Sequence, residues 1–266
     1  MKPVPEGGCG DAAIHKDTGH HFTRLRGLSR IAVLDKERNT LDQQMAGDTR
    51  QGNGRHATGP ACVPLTDADV ESAARLYTEV FLADEPTSHR HALDPALFLP
   101  YARVYVRSLV KKDLSFLVRD KTTGEPAGFI FCFDFTEDPA DEGEEMREFI
   151  AHFREAVAMI GELEDRHLDR QRIAPGEVLH IFQIGVSRHA RGLGMAQAMI
   201  RRALSHAKDR GFRQAIADCT GPASQRAFES CGFYELGSYP YAEFSMDGVR
   251  FFAGLDGGIS LMAKDL

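Results

Sequence analysis

Between Val178 and Arg210 the chain passes from an almost unbroken apolar run, through a basic turn with two glycines, into an amphipathic segment. Few folds accept that succession. Val178, Leu179, Ile181, Phe182, Ile184 and Val186 are apolar, the pattern of a strand covered on both faces. Ala196, Met199, Ile200, Ala203, Leu204 and Ala207 recur at helical spacing and form one stripe, with Arg201, Arg202, Lys208 and Arg210 off it. Gly211, tolerant of positive φ, ends the helix. Between strand and helix, Gly192 and Gly194 let the backbone approach a ligand, and the first amides of the helix point outward with the positive end of its dipole. A strand, a glycine turn and a helix N-terminus in that order make an anion site.

The choice of anion follows from what the turn lacks. Gln197 stands where a dinucleotide fingerprint needs a third glycine, and no Gly-Lys-Ser/Thr follows to make a phosphate loop. The run from His189 through Arg191, Gly192, Leu193 and Gly194 to Met195 and Ala196 instead resembles the Gln/Arg-x-x-Gly-x-Gly/Ala loop of the GNAT N-acetyltransferases. The resemblance implies acetyl-CoA as co-substrate. Its pyrophosphate would lie on that loop, and its thioester carbonyl would meet backbone amides near Ile184 and Val186. His189 departs from the usual Gln or Arg, with Arg188 and Arg191 supplying positive charge beside it.

The chain upstream reads in the same sense. Residues 1–60 are rich in Gly, Asp, Arg, Thr and His with one short apolar patch, too little for a core, so a disordered tail is expected ahead of a domain at 61–266. His15, His20 and His21 have no acidic or thiol partner at regular spacing, and no metal is expected. Val63 to Leu65 reads as a strand, and Thr66 or Asp67 caps a helix that must stop at Pro86. A second helix covers Pro95 to Val110, followed by strands at Leu114 to Val118 and Gly128 to Phe135. Eight carboxylates and one arginine lie between Asp134 and Glu148, a solvated loop or a rim that attracts cations. One long amphipathic helix is expected from Glu144 to about Leu168. After the central helix come a strand at Gln214 to Asp218, a short helix at Ser224 to Ser230, and a last strand near Ile259 to Met262. The fold class expected is α/β, a central mixed sheet flanked by helices, as in GNAT acyltransferases.

The resemblance narrows at two further places. Phe81 to Pro86 is similar to the Phe-x-x-Asp-Glu-Pro segment of insect-type arylalkylamine N-acetyltransferases, and Asp218, Cys219, Thr220 and Gly221, with Ser224 and Arg226, are similar to their C-terminal motif. That group implies Glu85 as general base and Ser224 as its helper. Many GNAT enzymes carry a tyrosine that protonates the departing thiolate; the corresponding residue here is Phe228.

Composition bounds the rest. The formal charge of −7 over 266 residues argues against a nucleic-acid partner, and no stretch reaches a membrane span of roughly 18 apolar residues. Five cysteines without a Cys-x-x-Cys pair, and no apolar signal core behind Lys2, point to a reduced, cytoplasmic setting. The function expected is transfer of an acetyl group from acetyl-CoA to a small primary amine by direct attack. An N-acetyltransferase of proteins or peptides and a non-catalytic acyl-CoA sensor stand as alternatives, as does a covalent route through Ser187 with His189 or through Cys219. Oligomeric state is not legible.

Overall fold

A seven-stranded sheet organises the protein, and all its neighbours but one are antiparallel. In this computed structural model residues 61–266 are described. The expected tail and the histidines His15, His20 and His21 lie outside the described residues. In chain order the elements are β1 (Cys62–Pro64), α1 (Val70–Asp84), α2 (Ser88–His91), α3 (Pro95–Lys112), β2 (Phe116–Arg119), β3 (Pro126–Asp134), α4 (Glu144–Ala151) and α5 (Arg154–His167). Then follow β4 (Val178–Val186), α6 (Met195–Asp209), β5 (Gln214–Cys219), α7 (Pro222–Glu229), β6 (Tyr234–Pro240) and β7 (Gly258–Asp265).

The strands run β1-β2-β3-β4-β5-β7-β6, with β4 and β5 parallel and joined across α6. That parallel pairing is short. Val178 to Ile181 pair with Gln214 to Ala217, and there the ladder between the two strands ends, while β4 stays bonded to β3 as far as Val186 opposite Gly128. A register shift in β3 between Phe131 and Cys132 leaves Phe182 as the extra residue on β4. A bulge of this kind bends its strand and sharpens the local twist. The sheet therefore opens after Ile181.

Three apolar clusters hold the layers. α1, α3 and α4 pack on one face through Tyr77, Phe98, Phe129, Phe131 and Phe149, all buried. α6 and α7 cover the other through Met199, Ile200, Ala203 and Phe228. α5 lies with β6, β7 and the loop carrying Tyr241, Phe244 and Phe252. Two glycine contacts show how closely the opening is packed. A β-carbon at Gly185 would sit 2.4 Å from the Phe129 ring and 2.9 Å from Val80, so the Phe129 ring lies directly against the β4 backbone.

The helix expected over Glu144 to Leu168 is two helices. His152 and Phe153 donate their amides three residues back, to Phe149 and Ile150, and Phe153 leaves helical geometry at φ −115°, ψ 21°. The bend turns the Phe153 ring into the aromatic cluster, 5.5 Å from Phe81 and 5.4 Å from Phe149. A continuous helix would aim that ring elsewhere. The four-residue α2 was not expected, because its signal is a side chain, Glu85, and not a periodicity. None of the described helices is long and apolar enough to cross a membrane.

Replacing Gly185 by Val should cost about 1–3 kcal/mol through this overlap. The melting temperature should then fall by roughly 3–10 °C. An unchanged melt would mean that Phe129 has room to move.

Candidate active site

Where the sheet opens, a cavity of about 1380 Å³ runs between β4, α1, α5, α6 and α7. Sites for one small ligand occupy roughly 300–1,000 Å³, so this one has room for two reactants. Its wall along β4 includes Ile184, Gly185 and Val186.

At one end stands the glycine turn. Gly192 and Gly194 have φ of 76° and 72°, the left-handed region that side chains disfavour. A β-carbon at either would meet nothing within 4 Å. Both glycines thus answer to backbone conformation, and the space before α6 is open. Arg191, Gly192, Gly194, Met195 and Ala196 line it, joined by Gln197 and Arg201, which the sequence had not marked. His189 and Leu193 are not on this wall. His189 is exposed, with Nε2 3.4 Å from Ser187 Oγ and 3.9 Å from an Asp120 oxygen, and Leu193 is 64% exposed. An open cradle of amides at the N-terminus of a 15-residue helix, flanked by Arg191 and Arg201, fits a pyrophosphate. Arg191, with Arg188 beside it, has a partner here already. Arg188 and Arg191 both reach Asp84, at 3.3 Å for Arg188, and although burial pushes the Asp84 carboxyl up, their hydrogen bonds hold it below the usual carboxylate range.

Asp84 ends α1, and Glu85 follows at its C-cap in extended conformation. Glu85 turns back to the start of α2: Oε2 accepts from Thr87 Oγ1 at 2.7 Å and from the Ser88 amide at 2.5 Å. Its other oxygen, Oε1, is buried without a hydrogen-bond partner, and the residue lines the cavity. One carboxylate oxygen is therefore fixed and the other is free. Pro86 packs toward Gly221 at the head of α7, where a β-carbon would lie 3.5 Å from the ring. Buried Tyr241 stands near, its hydroxyl donating to the Thr220 carbonyl at 2.7 Å; burial first and the Glu85 charge second push that phenol well above its ordinary range.

Ser224 also lines the cavity, in the first turn of α7, and its hydroxyl proton is given to the Gly221 carbonyl at 2.8 Å. Phe228 on the same helix is buried and offers no proton. Ser187 faces His189 only at 3.4 Å and is buried off the cavity wall, while burial pushes the Cys219 thiol far up, so neither covalent route finds an activated nucleophile.

A second polar cluster sits deeper on the α5 face of the sheet. His180 Nε2 hydrogen-bonds Asp218 Oδ2 at 2.7 Å and lies 3.7 Å from Glu164 Oε1; Arg170 pairs with the other Glu164 oxygen. The ligand atoms of Glu164, His180 and Asp218 lie within 4.8 Å of one another, close enough to surround a cation, and all three residues line the cavity. Burial drives His180 down to about 4 and Asp218 up to about 7; burial and the Asp218 charge raise Glu164 to about 7. Helical and strand periodicity gave no sign of this cluster, because its members come from three elements.

A central mixed sheet opened beside a parallel strand pair, with a glycine turn feeding a helix at the opening, is a fold shared with N-acetyltransferases of known structure. The family model for the acetyltransferase (GNAT) family matches residues 71–233, and the chain belongs to that family, whose members draw their acetyl group from acetyl-CoA. A rice (Oryza sativa subsp. japonica) glucosamine 6-phosphate N-acetyltransferase is 37% identical over 60 residues, 23% of this chain and 36% of that protein. The chain thus matches about a third of that relative's length. Arylalkylamine N-acetyltransferase 2 from Aedes aegypti superposes with a TM-score of 0.61 at 20% identity, covering 77% of this chain and 98% of that one. A Drosophila melanogaster polyamine N-acetyltransferase that forms N-acetylagmatine gives 0.62 at 15%, covering 77% and 100%. At such identities the two structures share the fold.

The shifted carboxyl carries a sign that can be tested. A group whose folded pKa is raised, as for Asp218 from 3.8 to about 7, holds its proton more tightly when folded, so its contribution to stability falls as pH rises from about 4 through 7. His180, lowered from 6.5 to about 4, acts oppositely between those two values. Asp218→Asn removes the first contribution and, by taking away the Asp218 charge, part of the rise in Glu164, which acts with the same sign. The melting temperature of the variant relative to the native protein should therefore rise between pH 5 and pH 8.5. A difference independent of pH would mean that Asp218 is ionised throughout.

Proposed function

We propose that this protein transfers the acetyl group of acetyl-CoA to the primary amine of a small molecule, with Glu85 taking the amine's proton. The observation that carries this is the Glu85 carboxylate, clamped through Oε2 at the head of α2 while Oε1 stands buried and unpartnered on the wall of the cavity. A non-catalytic sensor has no use for such an oxygen. The substrates after which those relatives are named, an arylalkylamine, agmatine and glucosamine 6-phosphate, are all small amines, and the aromatic wall of Phe81, Phe133, Phe153 and Phe182 suits the apolar body of one.

In this reading the amides at the head of α6, with Arg191 and Arg201, hold the pyrophosphate, and the unpaired part of β4 near Ile184 and Val186 receives the thioester carbonyl. Acetyl-CoA, when bound, supplies an activated acyl carbon. The chain's part is to bring a neutral amine to it. An alkyl amine with pKa about 10.4 is neutral in fewer than roughly one molecule in a thousand at pH 7, a cost of about 4–5 kcal/mol. Glu85 Oε1 accepts that proton directly or through a water. Ser224, its own proton engaged with Gly221, presents lone pairs and serves to position rather than to donate. Phe228 places protonation of the departing thiolate with solvent or the released ammonium proton. The acidic rim adds attraction for a cationic amine, since Glu137 and Asp138 stand on the cavity's edge.

Glu85→Gln keeps the shape and removes the acceptor. It should lower kcat at pH 7 by at least roughly a hundredfold, leave acetyl-CoA affinity unaltered, and recover part of the rate at high pH as free amine accumulates. A variant with near-native kcat at pH 7 would reject Glu85 as the base.

A further inference from the structure

Glu164, His180 and Asp218 are not used by the mechanism above, although they line the same cavity. Two of their oxygens, Glu164 Oε1 and Asp218 Oδ1, are buried and have no hydrogen-bond partner, on side chains that are 3% and 1% exposed. Buried carboxylate oxygens left unpaired are costly, and they call for a donor.

The surroundings say what kind. Arg170 already satisfies one Glu164 oxygen and His180 one oxygen of Asp218, so a single guanidinium answers one of the two carboxylates, and the second gives up its proton when another positive charge arrives. The remaining wall is aromatic. Phe133, Phe135 and Phe182 stand around His180 with ring centroids 5.0, 5.6 and 5.2 Å away, and the Arg170 guanidinium already lies 4.0 Å over the Phe135 ring. A second buried carboxyl that ionises against an incoming cation, set among aromatic rings, matches a weakly hydrated organic cation. A divalent metal would instead place two charges beside Arg170, and would need the His180 to Asp218 hydrogen bond to give way.

The position is set by the sheet. His180 precedes Ile184 by four residues on β4. At about 3.3 Å per residue that is roughly 13 Å. The Phe182 bulge sets those four steps of β4 against three of β3, so an amine reacting beside Ile184 comes level with the cluster through a group on the order of 10 Å away. We propose that Glu164 and Asp218, held by Arg170 and His180, form a subsite for a second basic group, so that the acceptor is an amine carrying a distal ammonium or guanidinium. This rests on the amine-acetylating reading above and adds to it the class of acceptor.

Heptane-1,7-diamine and heptylamine test it, because they share a chain and differ only by the distal ammonium. With the full chain and acetyl-CoA, kcat/KM for the diamine should exceed that for heptylamine by at least roughly tenfold. In Asp218→Asn, and separately in Glu164→Gln, that ratio should collapse to less than about threefold, with a cooperative melt reporting that each variant folds. Calorimetric titration of the two amines into the protein with CoA should give the same preference without turnover. Glu85→Gln lowers turnover of both amines together, so a failure of the base leaves the ratio standing. Equal kcat/KM and equal binding for the two amines in the native protein would overturn the subsite. So would a ratio that survives both substitutions. Tight binding of zinc or manganese chloride that depends on Asp218 and abolishes no diamine preference, because none exists, would overturn it in favour of a metal site.

Discussion

β4 and β5 are hydrogen-bonded for four residues each and then part, and almost everything chemical in this protein is placed by that parting. Up to Ile181 and Ala217 the two strands satisfy each other's backbone; beyond them β4 has a neighbour on the β3 side only. Buried backbone groups without partners are rare, and a strand edge inside a protein asks for something to bind. Phe182 bulges at the same point, and Gly185 lets Phe129 brace the freed strand from beneath. The crossover through α6 follows from the parallel pairing, and it brings the helix N-terminus, with its outward amides, to the mouth of the gap. Opening and anion cradle are one device.

The charges are distributed along that gap in a way that links its ends. Asp84 and Glu85 are neighbours in sequence but serve different parts of the cavity: Asp84 pairs with Arg188 and Arg191 at the glycine turn, and Glu85 caps α2 on the cavity wall. An anion arriving at the cradle competes with Asp84 for the same guanidinium groups.

Much of this was legible in the chain because periodicity survives folding. The apolar run of β4 and the stripe of α6 fixed strand, turn and helix to within a residue, and Pro86 marked the end of α1 correctly. Less local facts were not legible. The break at Phe153 is imposed by an aromatic cluster assembled from α1, α3 and α4, and helical spacing runs through it without interruption. His189 occupies a loop position that matches a motif, yet its ring turns to Ser187 and Asp120, away from the cavity. Asp218 was visible as part of a motif, but Glu164 and Arg170 were not, since only tertiary packing brings α5 and the turn after it to His180. Glu85 was singled out by resemblance; composition alone would have left it among the surface acids.

The central claim is that the glycine turn at the head of α6 receives the pyrophosphate of acetyl-CoA, and calorimetric titration of acetyl-CoA into the native protein and into Gly192→Asp tests it most directly. Gly192 sits at φ 76° with open space before it, so aspartate would bring both backbone strain and a negative charge to the cradle. Affinity should fall by at least tenfold, about 1.4 kcal/mol, while the melting temperature without ligand changes by only a few degrees. Equal affinity in the two proteins would contradict the account and place the cofactor elsewhere.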